Sequence, residues 1–63
     1  MHPEIYTVVA RIKANRNRMN KLNTLGLRAR RYQARCYVIA ECQAIRFKAN
    51  ESEIVKMAAM LAG

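Results

Sequence analysis

Nine cations and no acid lie between Glu4 and Glu41: Arg11, Lys13, Arg16, Arg18, Lys21, Arg28, Arg30, Arg31 and Arg35. Across all 63 residues, 12 Lys+Arg stand against 4 Asp+Glu, a net charge of +8, so most of the excess sits in this one block. A field of that sign and density attracts phosphate, acidic protein surfaces or anionic lipid. Wound as a helix, Arg28, Arg31, Arg35 and Arg46 fall within about 60° of one another, a stripe rather than scattered charge. Three of the four lie near a helix start, where the macrodipole disfavours cations, and no Ser, Thr, Asp or Asn follows Gly26 to act as a cap. Arginines beside free amide donors suit a bound phosphate. A solvated basic face is the plainer account of the same residues.

Other chemistry has less to build on. Glu4, Glu41, Glu51 and Glu53 are dispersed and form no carboxylate pair, and His2 lies in the amino end. There is no Gly-rich phosphate loop. Cys36, Cys42 and His2 are too few to close a four-ligand zinc site within one chain. The two cysteines read as small core hydrophobes in a reducing cytoplasm. These residues point to a binding protein that is not an enzyme and takes no metal or cofactor. Asn17, Asn20 and Asn23 offer amide donors and acceptors to phosphates or bases. Tyr6, Tyr32 and Tyr37 can stack on bases, although packing is the commoner use of so few aromatics.

The elements that must hold these residues are helices. Ile5, Val8, Ile12, Asn15, Met19 and Leu22 follow one another at alternating spacings of three and four, an unbroken coiled-coil seam. Pro3 and Glu4 suit a helix start. With Gly26 at the left-handed C′ position, Leu22 and Leu27 become the touching pair of a Schellman ending. The first helix is therefore expected over 3–24 and a turn over 25–27. A second helix of matching length runs over 28–49, giving an antiparallel hairpin. Asn50 and Glu53 have the spacing of a capping box, which predicts a short apolar helix over 51–62; a continuous second helix is the alternative. Asn15 in the seam either fixes register at a cost in stability, so that Asn15→Leu raises the melting temperature, or stays wet at the rim.

The second helix carries two apolar faces. Ala29, Tyr32, Cys36, Ala40 and Phe47 form one, widened by Ile39 and Ala44, while Ala34, Val38 and Ile45 form the other. A hairpin partner covers one face only, and the second needs another chain or the C-terminal tail. A chain of this length is marginal alone and, lacking disulfide or metal, is expected to dimerise. The dimer or core residues are Ile5, Val8, Ile12, Asn15, Met19, Leu22, Val38, Ile45, Ile54 and Leu61. The fold class is all-α, a hairpin with a short C-terminal helix that dimerises into a helical bundle. Leu25-Gly26-Leu27 also resembles the turn of a helix–turn–helix; against it, Arg35 occupies a position that motif buries, and no separate helix precedes the long first one. No stretch is apolar enough to span a bilayer, and the amino end carries no secretory pattern, so a cytoplasmic location is expected.

In size and helical organisation the whole chain resembles the very short helical proteins encoded in the early exo–xis region of lambdoid phages. That resemblance implies an accessory factor acting on phage development or host physiology through host partners, and it carries over no functional residue. In architecture the chain also resembles the plasmid-encoded hairpin that dimerises to grip RNA. Two functions stay open. One is nucleic-acid binding through the turn end, by Arg16, Arg18, Lys21, Arg28, Arg30, Arg31 and Arg35. The other is occupation of an acidic host protein, with the basic field steering and an apolar helix face in contact. Membrane-surface binding ranks below both, since interfacial Trp is absent.

Overall fold

Pro3 at the first helical position, Glu4 in the first turn and the buried spacing Ile5, Val8, Val9, Ile12 make α1, Pro3–Lys13. In the computed structural model, which describes residues 2–63, this helix stops where the sequence pattern continues. Asn15 is not in a buried seam. It is exposed and caps α2, Arg16–Asn23, its side chain accepting a hydrogen bond from the Arg18 amide at 3.1 Å. Asparagine competes for backbone donors better than it propagates a helix, so the chain breaks at Ala14–Asn15 rather than burying an amide. Leu22 is the one fully buried residue of α2, and Met19 packs against the core from a half-buried position.

Gly26 has φ of −67°, so it is the N-cap of α3 and not a left-handed Schellman residue. Leu22 is buried while Leu27 is 54% exposed. α3 runs Leu27–Ala44, five residues short of the expected end. The Schellman geometry occurs there instead. Arg46 takes φ of 58°, its amide donates to the Gln43 carbonyl, and the Phe47 amide donates to Cys42 at 2.8 Å. α4, Glu51–Ala62, begins behind a complete capping box: Asn50 Oδ1 accepts from the Glu53 amide at 2.8 Å, and Glu53 Oε1 accepts from the Asn50 amide at 3.0 Å.

The core forms where α1, α3 and α4 meet, with Leu22 of α2 closing it. α4 packs most extensively on α3. It buries Met57, Ala58, Leu61 and Ala62, and Ile54 is half-buried. α3 offers Ala34, Val38 and Cys42 to this core, with Ile45 packed beside it. The face through Ala34, Val38 and Ile45, expected to need either another chain or the C-terminal tail, is covered by the tail helix α4. The opposite face through Ala29, Tyr32, Cys36, Ile39 and Ala40 is exposed, and Cys36 is a free surface thiol rather than a core residue. A radius of gyration of 10.6 Å equals the ~10.6 Å of a compact domain this long. The accessible surface, 4401 Å², is close to the ~4,200 Å² of folded monomers of this mass. No helix is long and apolar enough to cross a membrane among the described residues.

Candidate nucleic-acid interface

The charged side chains divide into those that hold the fold and those left outside it. Glu41 is the one buried charged residue among the described residues, 7% exposed, and it accepts hydrogen bonds from Arg11 Nε of α1 and Arg18 Nη1 of α2, the latter at 3.1 Å. The Arg11 hydrogen bond, opposed by burial and reinforced by Arg18, holds its carboxyl below the ordinary value. The Arg18 guanidinium also lies 5.2 Å from the Tyr37 ring centroid, a cation–π contact over a half-buried aromatic. One carboxylate of α3 thus fastens the two helices that flank the break at Asn15.

Arg30 is spent on the turn. Its Nε donates to the Leu22 carbonyl and its Nη2 to that of Leu25, both at 3.0 Å. The Leu22 carbonyl, in the last turn of α2, also accepts the Leu25 amide at 3.2 Å, Leu25 itself lies in the turn, and a cation there answers the negative end of the helix dipole. Thr24 Oγ1 donates to the Lys21 carbonyl at 2.7 Å, completing the ending. Arg35 Nη2 donates to Glu51 Oε1 at 2.6 Å, tying α3 to the start of α4.

Of the residues expected to contact phosphate, Arg18, Arg30 and Arg35 are therefore engaged within the chain. Arg16, Lys21, Arg28 and Arg31 are exposed and make no ion pair or side-chain hydrogen bond among the described residues. Lys21 and Arg28 line the turn between α2 and α3, while Arg16 stands at the other end of α2, about 12 Å along the helix, and Arg31 one turn into α3. Asn17, Asn20 and Asn23 are exposed on α2 beside them. No side chain caps the start of α3. Arg46, the far member of the expected stripe, has left the helix altogether.

Two surface depressions border these cations. A shallow groove at the α2–α3 turn is lined by Lys21, Leu25, Leu27, Arg28, Tyr32 and neighbouring backbone. Tyr32 is 71% exposed, so it is no packing residue. Sequence reasoning gave Leu25 and Leu27 no role at the surface; the signal it had was two leucines beside a glycine, more apolar side chain than one small core absorbs. A second depression between α3 and α4 is lined by Arg31, Arg35, Val55, Ala58 and Ala59.

The helix order α1, α2, turn, α3 supplies the separate preceding helix that the sequence pattern lacked for a helix–turn–helix. The exposure of Leu27 and Tyr32 and the Arg35–Glu51 pair depart from the packing of that motif. Among the described residues no group of His, Cys, Asp and Glu is placed to hold a metal ion. No protein-family model, curated protein or solved structure matches this chain.

Proposed function

We propose that this protein is a non-enzymatic accessory factor, phage-encoded and cytoplasmic, that binds nucleic acid through the basic end formed by α2 and the start of α3. The observation that carries the reading is the set Arg16, Lys21, Arg28 and Arg31. Four exposed cations without intramolecular partners among the described residues lie along α2 and the first turns of α3, Lys21 and Arg28 at the turn groove itself, on a chain whose net charge is +8. Arg11, Arg18, Arg30 and Arg35 are engaged within the chain; Arg16, Lys21, Arg28 and Arg31 are not, and unlike the equally unpaired Lys13, Arg46, Lys48 and Lys56 they belong to α2 and the start of α3. Phosphate contacts position a protein on a polyanion, and the neighbouring asparagines add donors and acceptors suited to sugar, phosphate or base. Fluorescence anisotropy with duplex DNA and structured RNA across a salt series tests it. Binding should weaken steeply with salt, and absence of binding to either at low salt would reject the reading.

A second reading rests on a different surface. Cys36, Ile39 and Ala40 leave an uncovered apolar strip on α3, and the Arg31–Arg35–Val55 depression pairs an apolar floor with a cationic rim. That combination fits an acidic, partly apolar partner protein, or a second copy meeting the first through the strip. Self-association belongs to this reading as a reversible step, because the monomer already covers the core seam of α3 with α4. Light scattering across a concentration series distinguishes a stable monomer from a dimer.

A further inference from the structure

The turn groove has a chemistry that a plain phosphate contact does not require. It is lined by Tyr32, 71% exposed, by Leu25 and by the 54% exposed Leu27. Lys21 and Arg28 line it too, and no acid does. An exposed aromatic and two leucines on a small domain carry a standing hydration cost unless something apolar covers them. The two cations select an anionic occupant, and a flat apolar group attached to a phosphate meets both demands.

We infer that this groove takes an unpaired base of a single-stranded nucleic acid, stacked on Tyr32, with the flanking phosphates at Lys21 and Arg28. A duplex offers its phosphates and base edges but keeps its π faces covered by neighbouring pairs, so it has nothing to place against Tyr32. A single strand offers both, and every base has a face, so the groove selects strandedness rather than sequence. Gln33, which also lines the groove, supplies an amide for the edge of the stacked base. This inference rests on the nucleic-acid reading above and narrows it to one ligand class.

The experiment compares labelled oligo-dT, oligo-U and a mixed-sequence duplex of equal length by anisotropy at low ionic strength, for the wild type, Tyr32→Ala and Tyr32→Phe. Circular dichroism confirms that each variant keeps its helices, which an exposed position favours. The single strands should bind more tightly than the duplex. Tyr32→Ala should lose affinity for them by on the order of tenfold to a hundredfold, the worth of one stacked base, while Tyr32→Phe retains it. Duplex affinity should be unchanged in both variants. If single strand and duplex bind alike and Tyr32→Ala alters neither, the stacking site is wrong while the phosphate reading stands. If no nucleic acid binds the wild type at all, the phosphate reading itself fails. If Tyr32→Ala instead changes the oligomeric mass without affecting single-strand affinity, the groove is a protein contact and the inference is overturned.

Discussion

Replacing Glu41 with glutamine should be among the most damaging single polar substitutions in this protein. The Glu41 side chain is 9% exposed, Arg18 30% and Arg11 57%, so a buried carboxylate faces one half-wet and one wet cation. Removing one partner of a fully buried pair costs about 3–5 kcal/mol, whereas an exposed pair contributes about 0.2–1 kcal/mol. The glutamine side chain would keep one acceptor, and Arg11 can turn to solvent, but Arg18 stays held over Tyr37 beside an amide group that now repels it. A loss of about 2 kcal/mol follows, between the two limits. A folded chain this long has a total stability of roughly 3–9 kcal/mol, so the fraction lost is large. With an unfolding entropy of ~0.13 kcal/mol/K for this length, the melting temperature should fall by about 15 °C at neutral pH. Because the folded carboxyl titrates below its ordinary value of 4.5, its contribution is present above that pH and is lost as pH falls through the lower folded value. Thermal melts of wild type and Glu41→Gln from neutral to acid pH should therefore converge in acid. Equal melting temperatures at neutral pH, or a constant gap throughout, would refute the role assigned to the Arg11–Glu41–Arg18 cluster.

Three further outcomes follow from the geometry. Asn15→Leu should destabilise by about 1 kcal/mol by removing the α2 cap, the opposite sign to a buried seam amide, and a thermal melt reads it directly. Arg46→Gly should raise stability by about 0.5–1 kcal/mol, since glycine adopts the left-handed conformation at φ 58° without steric penalty; denaturant titration measures it. An Ellman-type thiol assay should modify Cys36 quickly and Cys42 only on unfolding. Cys36 is exposed, whereas burial, then the charges of Glu41 and Glu53, pushes the Cys42 thiol up.

What the sequence made legible was helix content, the start of α4 and the list of apolar residues; what it hid was how the helices share them. The capping box at Asn50 needs only residues three apart, so local spacing decides it. Asn15 shows the opposite case. A cap at that position leaves the three–four rhythm of Ile5, Val8, Ile12 and Leu22 intact, so periodicity cannot separate one helix from two. Gly26 likewise serves equally as a left-handed ending or an extended N-cap, and Arg46 took the left-handed role that composition reserved for glycine. α3 is apolar on two faces, and only the docking of α4 decides which becomes core. The same limit governed the arginines. Arg11 and Arg18 reach Glu41 from 30 and 23 positions away, so no local pattern marked them as structural. Arg30 was equally hidden, because its partners are backbone carbonyls that every sequence contains.

The most direct test of the phosphate-binding claim is the salt dependence of affinity for the wild type against a variant carrying Arg16→Gln, Lys21→Gln, Arg28→Gln and Arg31→Gln together. Each lost contact should flatten the slope of log affinity against log salt by about 0.9 on duplex DNA or about 0.7 on a single strand. The account predicts a slope reduced by roughly three to four units on duplex and about three on a single strand, with the helices intact and with Arg35→Gln alone causing little change. An unchanged slope in the fourfold variant, or wild-type protein that binds no nucleic acid at low salt, would contradict it.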